Sequence, residues 1–189
     1  MIPPGLSFIT MSQKAWEAAE KSNLPKFYLN LKSYKKSLLS NSNPYTPAVN
    51  LVFALDESLK MMREEGLDNI FFRHNKHKLA MSNAVKALNL KLFADEKCVS
   101  PSITAIKTEE IDAEEFRKKI KNNFDILLAG GQDHLKGKIF RVGHLGSVND
   151  RDIITVVSAI SNTLLDLDKI TSQQAGEALV VVSKYLEGN

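Results

Sequence analysis

The stretch Gly130-Gly131-Gln132-Asp133-His134-Leu135-Lys136-Gly137-Lys138-Ile139-Phe140-Arg141-Val142-Gly143-His144-Leu145-Gly146 decides how this chain is read. It sets an arginine in the middle of an apolar strand, between two glycine-rich turns. Alternation along a strand puts Ile139, Arg141 and Gly143 on one face and Phe140, Val142 and His144 on the other. Glycine in such turns lets backbone or ligand come close where a side chain would block it. A guanidinium held beside a residue with no side chain suits a planar two-oxygen anion such as a carboxylate. The same pattern also describes an edge-strand arginine closed in a salt bridge.

Working outward, Lys138 to His144 is read as a strand, and so are Ile126 to Ala129, Ser102 to Lys107 and Lys91 to Phe93. Asp112 to Phe124 is read as a helix. Asn149, with Asp152 three residues on, caps another that reaches about Leu167. Residues 173 to 186 form a last short helix. Upstream, Thr46 and Pro47 open a long helix to Glu65, which Gly66 terminates. Val49, Val52, Phe53, Leu55, Leu59 and Met62 give that helix a broad apolar stripe. A second helix spans about Leu67 to Leu88. Pro3-Pro4-Gly5 is a rigid turn, Leu6 to Met11 reads as a short strand, and Ser12 caps a helix over Gln13 to Lys21. Residues 22 to 46, broken by Pro25 and Pro44, read as an extended connector. Short strands among longer helices predict an α+β fold: a small sheet covered by helices, mainly on one side.

The 189 residues, 43% hydrophobic and 25% charged, have the balance of an ordinary globular chain, and a net charge of +3 is too small to argue for nucleic acid. Arg117, Lys118, Lys119 and Lys121 follow Glu114 and Glu115, as on a solvated helix face. Cys98 alone excludes an internal disulfide framework and fits a reducing compartment, so the cytoplasm is expected. No apolar run approaches the roughly 18 residues that cross a bilayer, and no membrane association is expected. The start of the chain lacks the basic-then-apolar pattern of a secretion signal.

Several clusters are weighed for chemistry. His74 and His77 could share a helix face, but Arg73, Lys76 and Lys78 would repel a cation, so a solvated face is read there and no metal site is expected. His134 and His144 flank the arginine strand and could line a pocket or serve packing. Asp133 and Lys136 could pair across their loop with little benefit.

The Gly130 to Gly146 run resembles the C-terminal domain of class V aminotransferases, which use pyridoxal 5'-phosphate, in the alanine–glyoxylate and serine–pyruvate branch. Pro3 to Phe8, Asn43 to Val49, Glu64 to Leu67, and Ser172 to Lys184 carry the resemblance over nearly the whole chain. It implies the small domain of a fold-type-I pyridoxal-phosphate-dependent transferase, with a remnant of the large domain. Residues 1–45 would be the tail of the large cofactor domain and a connector, 46–66 an interdomain long helix, and 67–189 the small α+β domain. Arg141 would clamp the substrate carboxylate, Thr46 would donate to the cofactor phosphate of a neighbouring subunit, and Gly130 and Gly131 would line the pocket. Asn43 stands where the family often has tyrosine.

The resemblance further implies amino transfer between a small amino acid and a 2-oxo acid in a homodimer. The family's Schiff-base lysine sits in a Ser-Gln-Lys motif just before Pro-Pro-Gly, so it is expected upstream of Met1, with no catalytic residue in this chain. Ser12-Gln13-Lys14 repeats that tripeptide on the wrong side of the turn, at an ordinary helix start, and is set aside. The same branch holds proteins labelled as a soluble hydrogenase small subunit. One cysteine cannot by itself supply the thiolates of an iron-containing cluster. Two other readings stay open: a non-catalytic fragment or split-enzyme module that pairs with a separate cofactor domain, and a generic anion-binding domain. Exposed apolar surface is expected on the long helix and on Leu6 to Met11.

Overall fold

The computed structural model describes residues 1–187, so the last two residues of the 67–189 reading lie outside it. The chain divides into two compact units, Met1–Glu64 and Glu65–Asn189. The helices are α1 (Gln13–Lys21), α2 (Leu31–Leu39), α3 (Val49–Glu65), α4 (Leu67–Ala87), α5 (Ala113–Phe124), α6 (Asp150–Asp166) and α7 (Ser172–Leu186). The strands are β1 (Lys91–Leu92), β2 (Ile103–Lys107), β3 (Ala129–Gly130) and β4 (Ile139–Gly143).

In the first unit, Leu6 to Met11 forms no strand. Nothing there offers the backbone a ladder partner, and Phe8 and Ile9 lie exposed. The segment read as a connector contains α2, which Asn30 caps by accepting from the Lys32 N–H. Both prolines fall outside it, so neither breaks it. Tyr45 gathers the neighbouring aromatics: its ring centroid lies 4.6 Å from Tyr28, 5.9 Å from Tyr34 and 6.0 Å from Phe27. Its hydroxyl donates to the Phe27 carbonyl at 3.0 Å. Thr46 does not cap α3, which starts at Val49, and Val49, Val52 and Phe53 on the apolar stripe are exposed.

The second unit is α+β, as the sequence predicts. Gly66 alone separates α3 from α4 and has φ +83°, a conformation that favours glycine. The four strands pair antiparallel in the order β1-β2-β4-β3. Thr104, Ile106, Phe140, Val142 and the following His144 are buried on one face. There they meet the core side chains Phe116 and Ile120 of α5, Met81 and Val85 of α4, and Ile153 and Ile160 of α6. The Phe116 and Phe140 rings lie 5.0 Å apart. α6 begins with the predicted capping box, in which Asn149 and Asp152 satisfy each other's N–H groups.

Phe140 ties sheet to helix layer with no exposed surface. Phe140→Ala is expected to cost about 3–5 kcal/mol, read as a lower urea midpoint with an unchanged m-value.

Candidate functional site

β4 is an interior strand, which removes the edge-strand reading of Arg141. Register places Ala105 of β2 and Ala129 of β3 directly opposite Arg141 on either side. Directly opposed residues share a face, so the guanidinium rises from a floor of two methyl groups. Arg141 is half-buried, and its Nε donates to the Gly130 carbonyl at 3.0 Å. Among the described residues no carboxylate pairs with it, and neither terminal nitrogen has a hydrogen-bond partner. One edge of the fork is anchored and the other stays available, an arrangement that can take two oxygens of a planar anion.

A side chain at either glycine would meet the protein's own atoms. A Cβ on Gly130 would lie 2.5 Å from Arg117 Nη1 and 2.6 Å from Glu114 Oε1. A Cβ on Gly131 would collide with the Leu135 carbonyl, because residues 133–135 make a single 3-10 turn folded back on it. At Gly130 the obstacle is the movable end of two side chains, and at Gly131 it is backbone. Asp133 and Lys136 join only through the Lys136 N–H and the Asp133 carbonyl, 3.2 Å apart, and not through an ion pair. His134 is exposed.

His144 does not line a pocket. It is fully buried, with Nε2 2.9 Å from Thr104 Oγ1. Burial pushes its imidazole down to about 4, helped by the neighbouring His77 and His74 and opposed by the carbonyls of Pro101 and His144. The solvated-face reading of α4 also fails at His77, which is fully buried 2.8 Å from Asp150 Oδ1. A carboxylate only accepts, so His77 Nε2 carries the proton. Burial lowers the His77 pKa despite that partner. Lys76 donates to the other Asp150 oxygen at 2.8 Å, and Arg73 pairs with Glu65 at 2.6 Å while donating to the Val148 carbonyl. Burial works against the charged form of Asp150, but Lys76 and His77 together hold its pKa below the usual carboxylate value. His74 is half-buried and bonds the Ile70 carbonyl through Nδ1 at 2.7 Å. Arg73, Lys76 and His77 fasten α4 to the start of α6. No group of three or more potential metal ligands occurs among the described residues.

In the first unit, Thr46 is exposed, and among the described residues its hydroxyl has no hydrogen-bond partner. Lys14 is exposed on α1, away from the desolvation that would make it a reactive amine. No described helix is long and apolar enough to cross a membrane.

No protein-family profile matches the chain. A serine–glyoxylate aminotransferase from Methylorubrum extorquens is 33% identical over 197 residues, covering 100% of this chain and 48% of the relative. The crystal structure of ureidoglycine–glyoxylate aminotransferase from Bacillus subtilis superposes with a TM-score of 0.86 at 28% identity, over 97% of this chain and 49% of that one. The homologues of this chain include class V-type aminotransferases. It corresponds to their C-terminal portion and spans about half the length of the curated relatives it matches. The soluble hydrogenase 42 kDa subunit of Anabaena cylindrica is 53% identical over 167 residues, covering 88% of this chain and 44% of that protein. This chain is thus similar both to aminotransferases and to a protein that carries another name.

The buried imidazole gives a pH test. A histidine whose folded pKa is lowered binds fewer protons than in the unfolded chain, so its stability contribution is present above about 6.5 and lost as pH falls toward about 4. His144 alone should remove about 3 kcal/mol across that window. Urea midpoints between pH 7 and 4 should fall steeply for the wild type and less so for His144→Gln.

Proposed function

We propose that this chain is the substrate-carboxylate portion of a pyridoxal-phosphate-dependent aminotransferase. It would move an amino group between a small amino acid of the alanine or serine type and a 2-oxo acid of the glyoxylate or pyruvate type. The observation that carries the reading is Arg141, unpaired among the described residues and anchored only through Nε on a methyl-floored strand. Its two terminal nitrogens take the two carboxylate oxygens. A bidentate grip fixes the plane of the carboxylate and, through it, the direction of the Cα–H bond that must lose a proton. Lysine could supply the charge but not the plane.

The residues present fit a share of the cofactor's binding site. Thr46 offers a free hydroxyl donor that suits a phosphate oxygen. Pyridoxal phosphate, when bound, supplies the electron sink for the pair left at Cα. In this reading the amine that carries it is supplied from outside this chain, and exposed Lys14 has none of the surroundings such an amine needs. In this reading Thr46 serves the cofactor of a second copy, which makes the enzyme a homodimer. Phe8, Ile9, Val52 and Phe53 then belong to surface that the rest of the enzyme covers. The residue ranges 1–45, 46–66 and 67–189 keep the roles implied by the resemblance, and the exposed lone Cys98 agrees with a cytoplasmic setting.

Pyruvate titrated into the chain should shift the Arg141 side-chain resonances, and Arg141→Gln should weaken its affinity by tenfold or more, on the order of 1.5–3 kcal/mol for a charge-assisted pair. Unchanged affinity would remove the carboxylate reading. Borohydride added to the chain mixed with pyridoxal phosphate should fix no cofactor at a unique lysine. Stoichiometric fixation at Lys14 would place the reactive amine within this chain after all.

A further inference from the structure

We propose that Arg117 of α5, with Glu114, is a positioning residue for the substrate carboxylate: it holds β3 so that the Gly130 carbonyl can fix Arg141. The inference rests on the reading of Arg141 given above and extends it to a residue that touches no substrate.

β3 is an edge strand of two residues, paired on one side only, with β4. Just past it the Gly131 N–H donates to the Ile139 carbonyl at 3.2 Å, which restrains the Gly130–Gly131 peptide from the β4 side alone. The Gly130 carbonyl is the sole hydrogen-bond partner of the Arg141 side chain among the described residues. Arg117 adds a restraint from the helix side. Its Nε donates to the Leu128 carbonyl at 2.8 Å, and its Nη1 donates to Glu114 Oε2 at 2.7 Å. The guanidinium thus bridges the helix and the segment entering the edge strand, and its far end fills the place where Gly130 lacks a side chain.

An ion pair with side chains 25% and 39% exposed adds little to stability. Its geometry carries the effect. A rigid fork can hold a backbone carbonyl and a carboxylate together, whereas an ammonium has no fixed angle between its donors. Gly130 has no positive φ, so its backbone accepts alanine. The added methyl would meet the mobile end of Arg117 and dislodge it. Gly130→Ala and Arg117→Met should therefore break the same arrangement from opposite sides.

The experiment uses the 189-residue chain with 15N-labelled arginine, the Arg141 Nε–H signal being assigned by its disappearance in Arg141→Gln. Hydrogen exchange at Arg141 Nε should be slow in the wild type and about tenfold faster in each of Arg117→Met and Gly130→Ala, the loss of one hydrogen bond's worth of protection. The double variant should exchange no faster than either, because both remove one shared element. Backbone amides of β4 report general loosening and should stay protected. Pyruvate affinity should fall about threefold to tenfold in the same variants.

Wild-type exchange at Arg141 in either single variant, or additive effects in the double, would overturn the proposal. Should Arg117→Met fail to fold, Gly130→Ala decides it alone. Failure of the carboxylate reading shows separately, as pyruvate affinity unchanged in Arg141→Gln, and the exchange rates still judge the role of Arg117.

Discussion

The register of β4 between β2 and β3 is the constraint on which the rest of the second unit turns. It seats Phe140 and Val142 in the core, brings His144 against Thr104, and leaves Arg141 between two alanines on the opposite face. A slip by one residue would bury the guanidinium among Phe116 and Ile120 and expose the aromatic ring. The burial cost of an unpaired cation makes that alternative prohibitive. Register therefore fixes the core and the site together.

Much of this was legible in the sequence. The alternation from Ile139 to His144 fixes the strand's two faces, and the Asn149–Asp152 pair fixes the start of α6. The family resemblance rested on motifs, and the relatives bear it out. Less legible was whatever depends on partners distant in sequence. Nothing local says that β4 is interior, or that Ala105 and Ala129 will stand beside Arg141. The His74–His77 spacing looks like a solvated face because its partner, Asp150, lies 73 residues from His77. α2 had a local signal, Leu31, Tyr34 and Leu38 at helical spacing between the prolines, which the flanking polar residues obscured.

The glycines show what comes close to them within the chain itself. Both permit close approach, as the sequence suggests. What approaches is the Arg117–Glu114 pair at one and the Leu135 carbonyl at the other. The second unit also spends several of its charges internally: Arg73, Lys76, Glu65 and Asp150 tie helices together, so a basic stretch in the sequence becomes a scaffold and not a docking surface.

The methyl floor beneath Arg141 has a consequence for selectivity. An alanine side chain carries no donor and no acceptor, so on the proposed carboxylate reading this part of the sheet would recognise only the acid group common to every amino acid and 2-oxo acid. Whatever distinguishes one donor from another would then come from atoms beyond these strands. A sheet built this way leaves selectivity to its surroundings.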